Sequence, residues 1–111
     1  MVEEGIVKSV QRYLRSLQDQ GVPVSFGVVF GSQATGKTAD WSDIDLLVVS
    51  PRFDGPRSRK DIDLLWHLAA RTDIRIEPLA CGERQWYDDD SSPLIESARR
   101  EGEQIKPAAI G

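Results

Sequence analysis

Asp43 and Asp45 are separated by one residue in a segment that alternates polar and apolar before running apolar through Val49. Residues i and i+2 of a strand project from one face, about 6.6 Å apart along it. Both carboxylates can therefore grip one pair of hard cations. Placing carboxylates side by side costs roughly 4 kcal/mol per close pair at an effective dielectric near 20, and a divalent ion is the usual offset. A lone acid on the next predicted strand, Glu77, can close the cluster. Upstream, Gly31 lets the backbone approach an anion closely, while the Ser32 hydroxyl and the free amides of a following helical turn offer donors for terminal phosphates. Two ions held ~3.5–4 Å apart would bind phosphates, activate a hydroxyl and stabilise a leaving oxygen. That is the chemistry of nucleotidyl transfer.

The elements that must position these residues are legible in the pattern. Ile6, Val10, Tyr13, Leu14 and Leu17 form one stripe at helical spacing between Glu3 and Gln20, stopped by Gly21 and Pro23. Val24 to Phe30 is short, β-branched and aromatic, and reads as a buried strand. Gly31 to Trp41 is a turn-rich working loop with room for one helical turn from Ser32, and Asp43 to Ser50 is a second strand. Ser58 and Asp61 match a capping pattern ahead of a helix carrying Ile62, Leu65, Trp66 and Ala69. Ile74 and Ile76, with Leu79 as a further candidate, make a third strand that Pro78 places near an edge or ends early. Ser92-Pro93 opens a last helix that fades near Gly102, and the tail from Lys106 is expected to fray. The sum is an α+β domain, two-layer α/β, with residues 1–111 as one unit.

The stretch Gly31-Ser32-Gln33-Ala34-Thr35-Gly36, followed after five residues by Ser42-Asp43-Ile44-Asp45-Leu46-Leu47-Val48, resembles the signature of the minimal nucleotidyltransferases (MNT), members of the DNA polymerase beta-like nucleotidyltransferase superfamily. The resemblance implies the nucleotidyltransferase fold, a small mixed sheet of three to four strands with flanking helices. It implies ATP or another NTP as substrate and two Mg2+ ions. It assigns Gly31 and Ser32 to the phosphates, and Asp43, Asp45 and Glu77 to metal binding and catalysis, with Glu77 where relatives usually carry aspartate. Many relatives also carry arginine where Gln33 and Thr35 stand. The implied activity is Mg-dependent transfer of a nucleoside monophosphate, AMP foremost, to a hydroxyl of a protein or RNA. The implied setting is the antitoxin role beside a helical HEPN-domain toxin. The alternative is a catalytically idle protein of the same fold that binds and neutralises the HEPN partner.

Composition narrows the partners. The 111 residues carry a net charge of -4, which argues against stable DNA binding, and no apolar run approaches the ~20 residues that cross a bilayer, so no membrane is expected. One cysteine, Cys81, and an opening Met1-Val2-Glu3-Glu4 fit a cytoplasmic protein. A homo-oligomer is left open. Other suggestive residues read as structural: Asp61-x-Asp63 diverges on a helix, His67 and Cys81 lack ligand companions, and Gly36-Lys37-Thr38 misses the P-loop spacing. Arg52, Arg57, Arg59 and Lys60 read as a solvated loop, or as a charge near the phosphates. Trp86 and Tyr87 either cap the core or offer a surface patch.

Overall fold

A computed structural model describes residues 2–35 and 43–109, without the side chains of Ser32 and Thr35. Helix α1 (Glu4–Asp19) buries Ile6, Val10, Tyr13, Leu14 and Leu17, the stripe read from the sequence. It ends as the pattern demands: Gly21 takes φ +92, its N–H bonds Gln18 O, and Val22 N–H reaches back to Leu17 O at 3.0 Å. This closes the last carbonyls with a left-handed residue that glycine adopts without a Cβ clash.

Strands β1 (Phe26–Phe30), β2 (Ile44–Ser50), β3 (Ile76–Gly82) and β4 (Glu103–Ile105) form one sheet in the order β3-β2-β1-β4. β1 runs antiparallel to both β2 and β4, and β2 runs parallel to β3, which makes the sheet mixed. Helices α2 (Ser32–Thr35), α3 (Arg59–Thr72), α4 (Glu83–Asp88) and α5 (Pro93–Glu101) complete the chain, with a 3₁₀ turn at Pro51–Phe53. The expected α+β class with a small mixed sheet holds.

Alternation along β2 divides the core. Ile44, Leu46 and Val48 pack with α1, α3 and Ile76, while Leu47 and Val49 pack with Phe26, Val28, Cys81, Trp86, Ile95 and Ala98 on the other face. Helices thus cover both faces, so the two layers expected from the sequence extend to three. The added pieces are short: α4 has 6 residues and β4 has 3, too few for a periodic signal to develop. Trp86 resolves its two readings by being buried, its ring 5.7 Å from Phe26 and edge-on, while Tyr87 stays exposed. Arg99 joins α5 to α4, donating to the Gln85, Trp86 and Asp89 carbonyls and lying 5.9 Å over the Trp86 ring.

β3 lies at the edge, as Pro78 suggested, yet it does not end early and it excludes the exposed Ile74. Ile44 donates to Arg75 O at 2.7 Å, so residues 75, 77, 79 and 81 face β2 while 76, 78, 80 and 82 point outward. Three of those four outward positions present no donor: Ile76 N–H bonds Asp73 O, Pro78 has none, and Gly82 N–H bonds Gln85 Oε1. Ser58 Oγ caps α3 through Asp61 N–H as expected, but the Asp61 carboxylate turns away to Arg52.

Candidate active site

β1 and β2 deliver the first two groups. Phe30, the last residue of β1, pairs with Asp45 in the antiparallel register, so the chain leaves β1 directly beside that carboxylate. Gly31 makes the bend at φ +71, and a Cβ added there would sit 2.5 Å from Asp45 Oδ2. Two constraints therefore require glycine: the left-handed backbone, and a carboxylate that occupies the place of a side chain. The helical turn of α2 follows at once, with Ala34 N–H bonded to Gly31 O at 3.2 Å. Gln33, where many relatives carry arginine, is buried. The Ser32 side chain lies outside the described atoms; Gly36, Lys37, Thr38 and Ser42 lie outside the described residues.

β3 delivers the third group. The parallel register sets Asp45 against Glu77, and both stand on the sheet face shared by Leu47, Cys81 and Trp86. Their carboxyls hydrogen-bond to each other. Partial burial raises the pKa of each above the ordinary carboxylate range, and the charge of Asp43 pushes both further in the same direction. The hydrogen bond between them lowers Asp45 and raises Glu77. Asp43 itself is exposed, just ahead of β2. The structure thus brings Gly31, Asp45 and Glu77 into contact or register, with Asp43 close enough to act on both acids.

The donor set is all oxygen and suits a hard divalent cation. Among the described residues, however, no three His, Cys, Asp or Glu side chains form a complete group able to hold a metal ion. Asp45 and Glu77 are paired, and Asp43 stands outside that pair. The arrangement is a two-carboxylate floor beside an anion-tolerant glycine bend, open on the side of Asp43.

The basic run sits elsewhere. Arg52 follows the C-terminal end of β2 whereas the acids stand at its N-terminal end, roughly 20 Å of strand away. Arg52 is held there by two bonds to Asp61, at 2.9 and 3.0 Å, and one to Gly21 O. A cavity of about 560 Å³ lined by Gln20, Arg52, Lys60 and His67 also lies at this far end. The basic residues are therefore not phosphate ligands of the acidic site. Asp61 and Asp63 both line that cavity, Asp61 buried against Arg52 and Asp63 exposed, and among the described residues they form no metal-holding group; Cys81 is buried and free.

A group missed in the sequence is Asp73 with Arg75. The Asp73 carboxylate accepts from Arg75 N–H and Nε at 3.0 Å each and from the Arg75 guanidinium NH2 group at 2.7 Å. An aspartate directly after the last helical residue with a donor two positions on is an Asx-turn pattern, and it was available to read.

Comparison with known proteins follows the same lines. The sequence profile of the nucleotidyltransferase domain family matches residues 8–90. No curated protein sequence matches the chain. Among solved structures, a toxin-antitoxin with AMP-PNP superposes with a TM-score of 0.61 at 18% identity, covering 92% of this chain and 73% of that one. A doubly substituted mutant of the toxin-antitoxin MntA-HpeT gives 0.57 at 18% identity, covering 97% and 75%. A protein of Sulfolobus solfataricus assigned as a nucleotidyltransferase gives 0.55 at 20% identity, covering 73% and 70%. At these identities the structures speak to the fold alone.

Proposed function

We propose that this chain, which belongs to the nucleotidyltransferase domain family, is a Mg-dependent adenylyltransferase acting on a hydroxyl of a protein or RNA. The observation that carries the reading is the Asp45–Glu77 pair standing against the Gly31 bend. Asp43, Asp45 and Glu77 would hold magnesium, with Asp43 turning inward from its exposed position to complete the set. Magnesium bound there supplies charge neutralisation for the triphosphate and for the leaving pyrophosphate. Gly31 leaves the backbone bare where phosphate oxygens must come close, and Ser32 adds a hydroxyl donor. Glu77 would take the proton of the acceptor hydroxyl. A bond then forms from that oxygen to the α-phosphorus as the bond to pyrophosphate breaks. The acceptor surface comes from a partner, for which we take a helical HEPN-domain toxin. Two similar structures described as toxin-antitoxin complexes, one with AMP-PNP, support this choice.

The test is label transfer from ATP to the product of the neighbouring gene in the presence of magnesium. Transfer by the native protein that is lost in Asp43→Ala and Asp45→Ala supports the reading; no transfer, or equal transfer by the variants, rejects it. A second reading has its own observation. The described acids form no complete metal-holding group, which suits an idle protein that neutralises its partner by covering it. Neutralisation that survives Asp45→Asn, without calorimetric heat for ATP and magnesium, would select that reading.

A further inference from the structure

We propose that Asp73 and Arg75 are positioning residues that pin the start of β3 and so hold Glu77 across from Asp45; this rests on Glu77 being the third carboxylate of the proposed site. Glu77 is only the second residue of β3, and β3 is an edge strand with no neighbour beyond it among the described residues. The first residues of such a strand fray unless something outside the ladder ties them down. Asp73 is that tie. Its N–H bonds Ala69 O at the end of α3, and its carbonyl accepts from Ile76 N–H, the first residue of β3. Its carboxylate takes the three Arg75 bonds given above. Arg75 then presents its own carbonyl to Ile44 N–H at 2.7 Å, the residue between Asp43 and Asp45.

Asp73 thus joins the end of α3 to the entry of β3 through its backbone, while its carboxylate holds Arg75, whose carbonyl meets the entry to β2. Arg75 is two residues from Glu77, and its carbonyl meets the residue between Asp43 and Asp45. Neither residue is placed to touch substrate; the pair acts through Glu77. The alternative is a local fold contact whose loss lowers stability without moving the carboxylates, and the two can be separated.

The experiment compares the native chain with Asp73→Ala, Asp73→Asn and a control, Tyr13→Phe, which loses the buried bond from Tyr13 Oη to Leu65 O at 2.9 Å. Two quantities are read: methyl contacts by NMR along the β2–β3 ladder, and the affinity for Mn2+ alone. Asp73→Ala should lose the Ile44–Ile76 contact while retaining Val48–Ala80, and its Mn2+ affinity should fall about tenfold or more. Asp73→Asn, which keeps an acceptor oxygen, should fall between. Tyr13→Phe should melt earlier with both readouts intact. Retention of the Ile44–Ile76 contact in both Asp73 variants overturns the proposal whatever the metal does, as does unchanged Mn2+ affinity in a variant whose contact is lost. If the native chain binds no Mn2+, the metal assignment of the preceding section fails, while the ladder contacts still decide the role of Asp73.

Discussion

The carboxylate of Asp45 occupies the space a side chain at position 31 would need, so the bend and the acid specify one another. Gly31→Ala is expected to cost roughly 1–2 kcal/mol from the left-handed backbone and to displace Asp45. Urea unfolding together with ATP binding in the presence of magnesium checks both parts. Glu77→Gln should act in the opposite direction on stability. The native pKa values of Asp45 and Glu77 are raised, first by burial and then by neighbouring negative charge. A raised acid stabilises below its unfolded value and loses that contribution as pH rises through the folded one. At neutral pH without metal the native pair is therefore a net burden, and Glu77→Gln should melt at a higher temperature. The gain should shrink as the buffer approaches pH 4, and melting curves at the two pH values measure it. A site that gains stability when its acid is removed holds its carboxylates for a ligand rather than for the fold.

At the level of elements, Asp73 offers the clearest sign of coupling between a junction and a strand. Hydrogen bonds from the Arg75 side chain pull Asp73 down to about 2. A lowered acid stabilises fully above its unfolded value and loses that contribution as pH falls through the folded one, here between about 4 and 2. The amount is about 1–2 kcal/mol after solvent screening is allowed for. Urea midpoints at pH 7 and pH 3 should show this loss in the native chain and its absence in Asp73→Asn. Most elements were legible. Helix α1 announced itself by five apolar residues on one stripe, β2 by alternation, and α3 and α5 by Ser58 and Ser92, whose hydroxyls accept from Asp61 and Ile95 N–H. The register that joins Asp45 to Glu77 was not legible, because it depends on where α3 stops and how Asp73 turns the chain. Nor were α4 and β4, which are shorter than the periods that would reveal them.

Across the whole molecule, the sheet divides two apolar cores and two chemical ends. Trp86 is the keystone of the second core, 5% exposed, edge-on to Phe26 and beneath Arg99. Trp86→Ala should cost about 3–5 kcal/mol, read from denaturant unfolding, with α4 and α5 released first in hydrogen exchange. Acidic residues stand at the start of β2 and Arg52 past its end, a separation the sequence hid because Asp43 and Arg52 are only nine positions apart in the chain. A strand carries its residues away from each other faster than any other element, about 3.3 Å per step. Among the described residues no helix is long and apolar enough to cross a membrane. The remaining feature is the outer rim of β3, where three of four outward positions offer no free N–H, while β4 at the opposite rim is only three residues long. Such borders give an identical neighbour little to template upon, so a chain stored beside its own copies at high concentration should resist growth into cross-β fibrils.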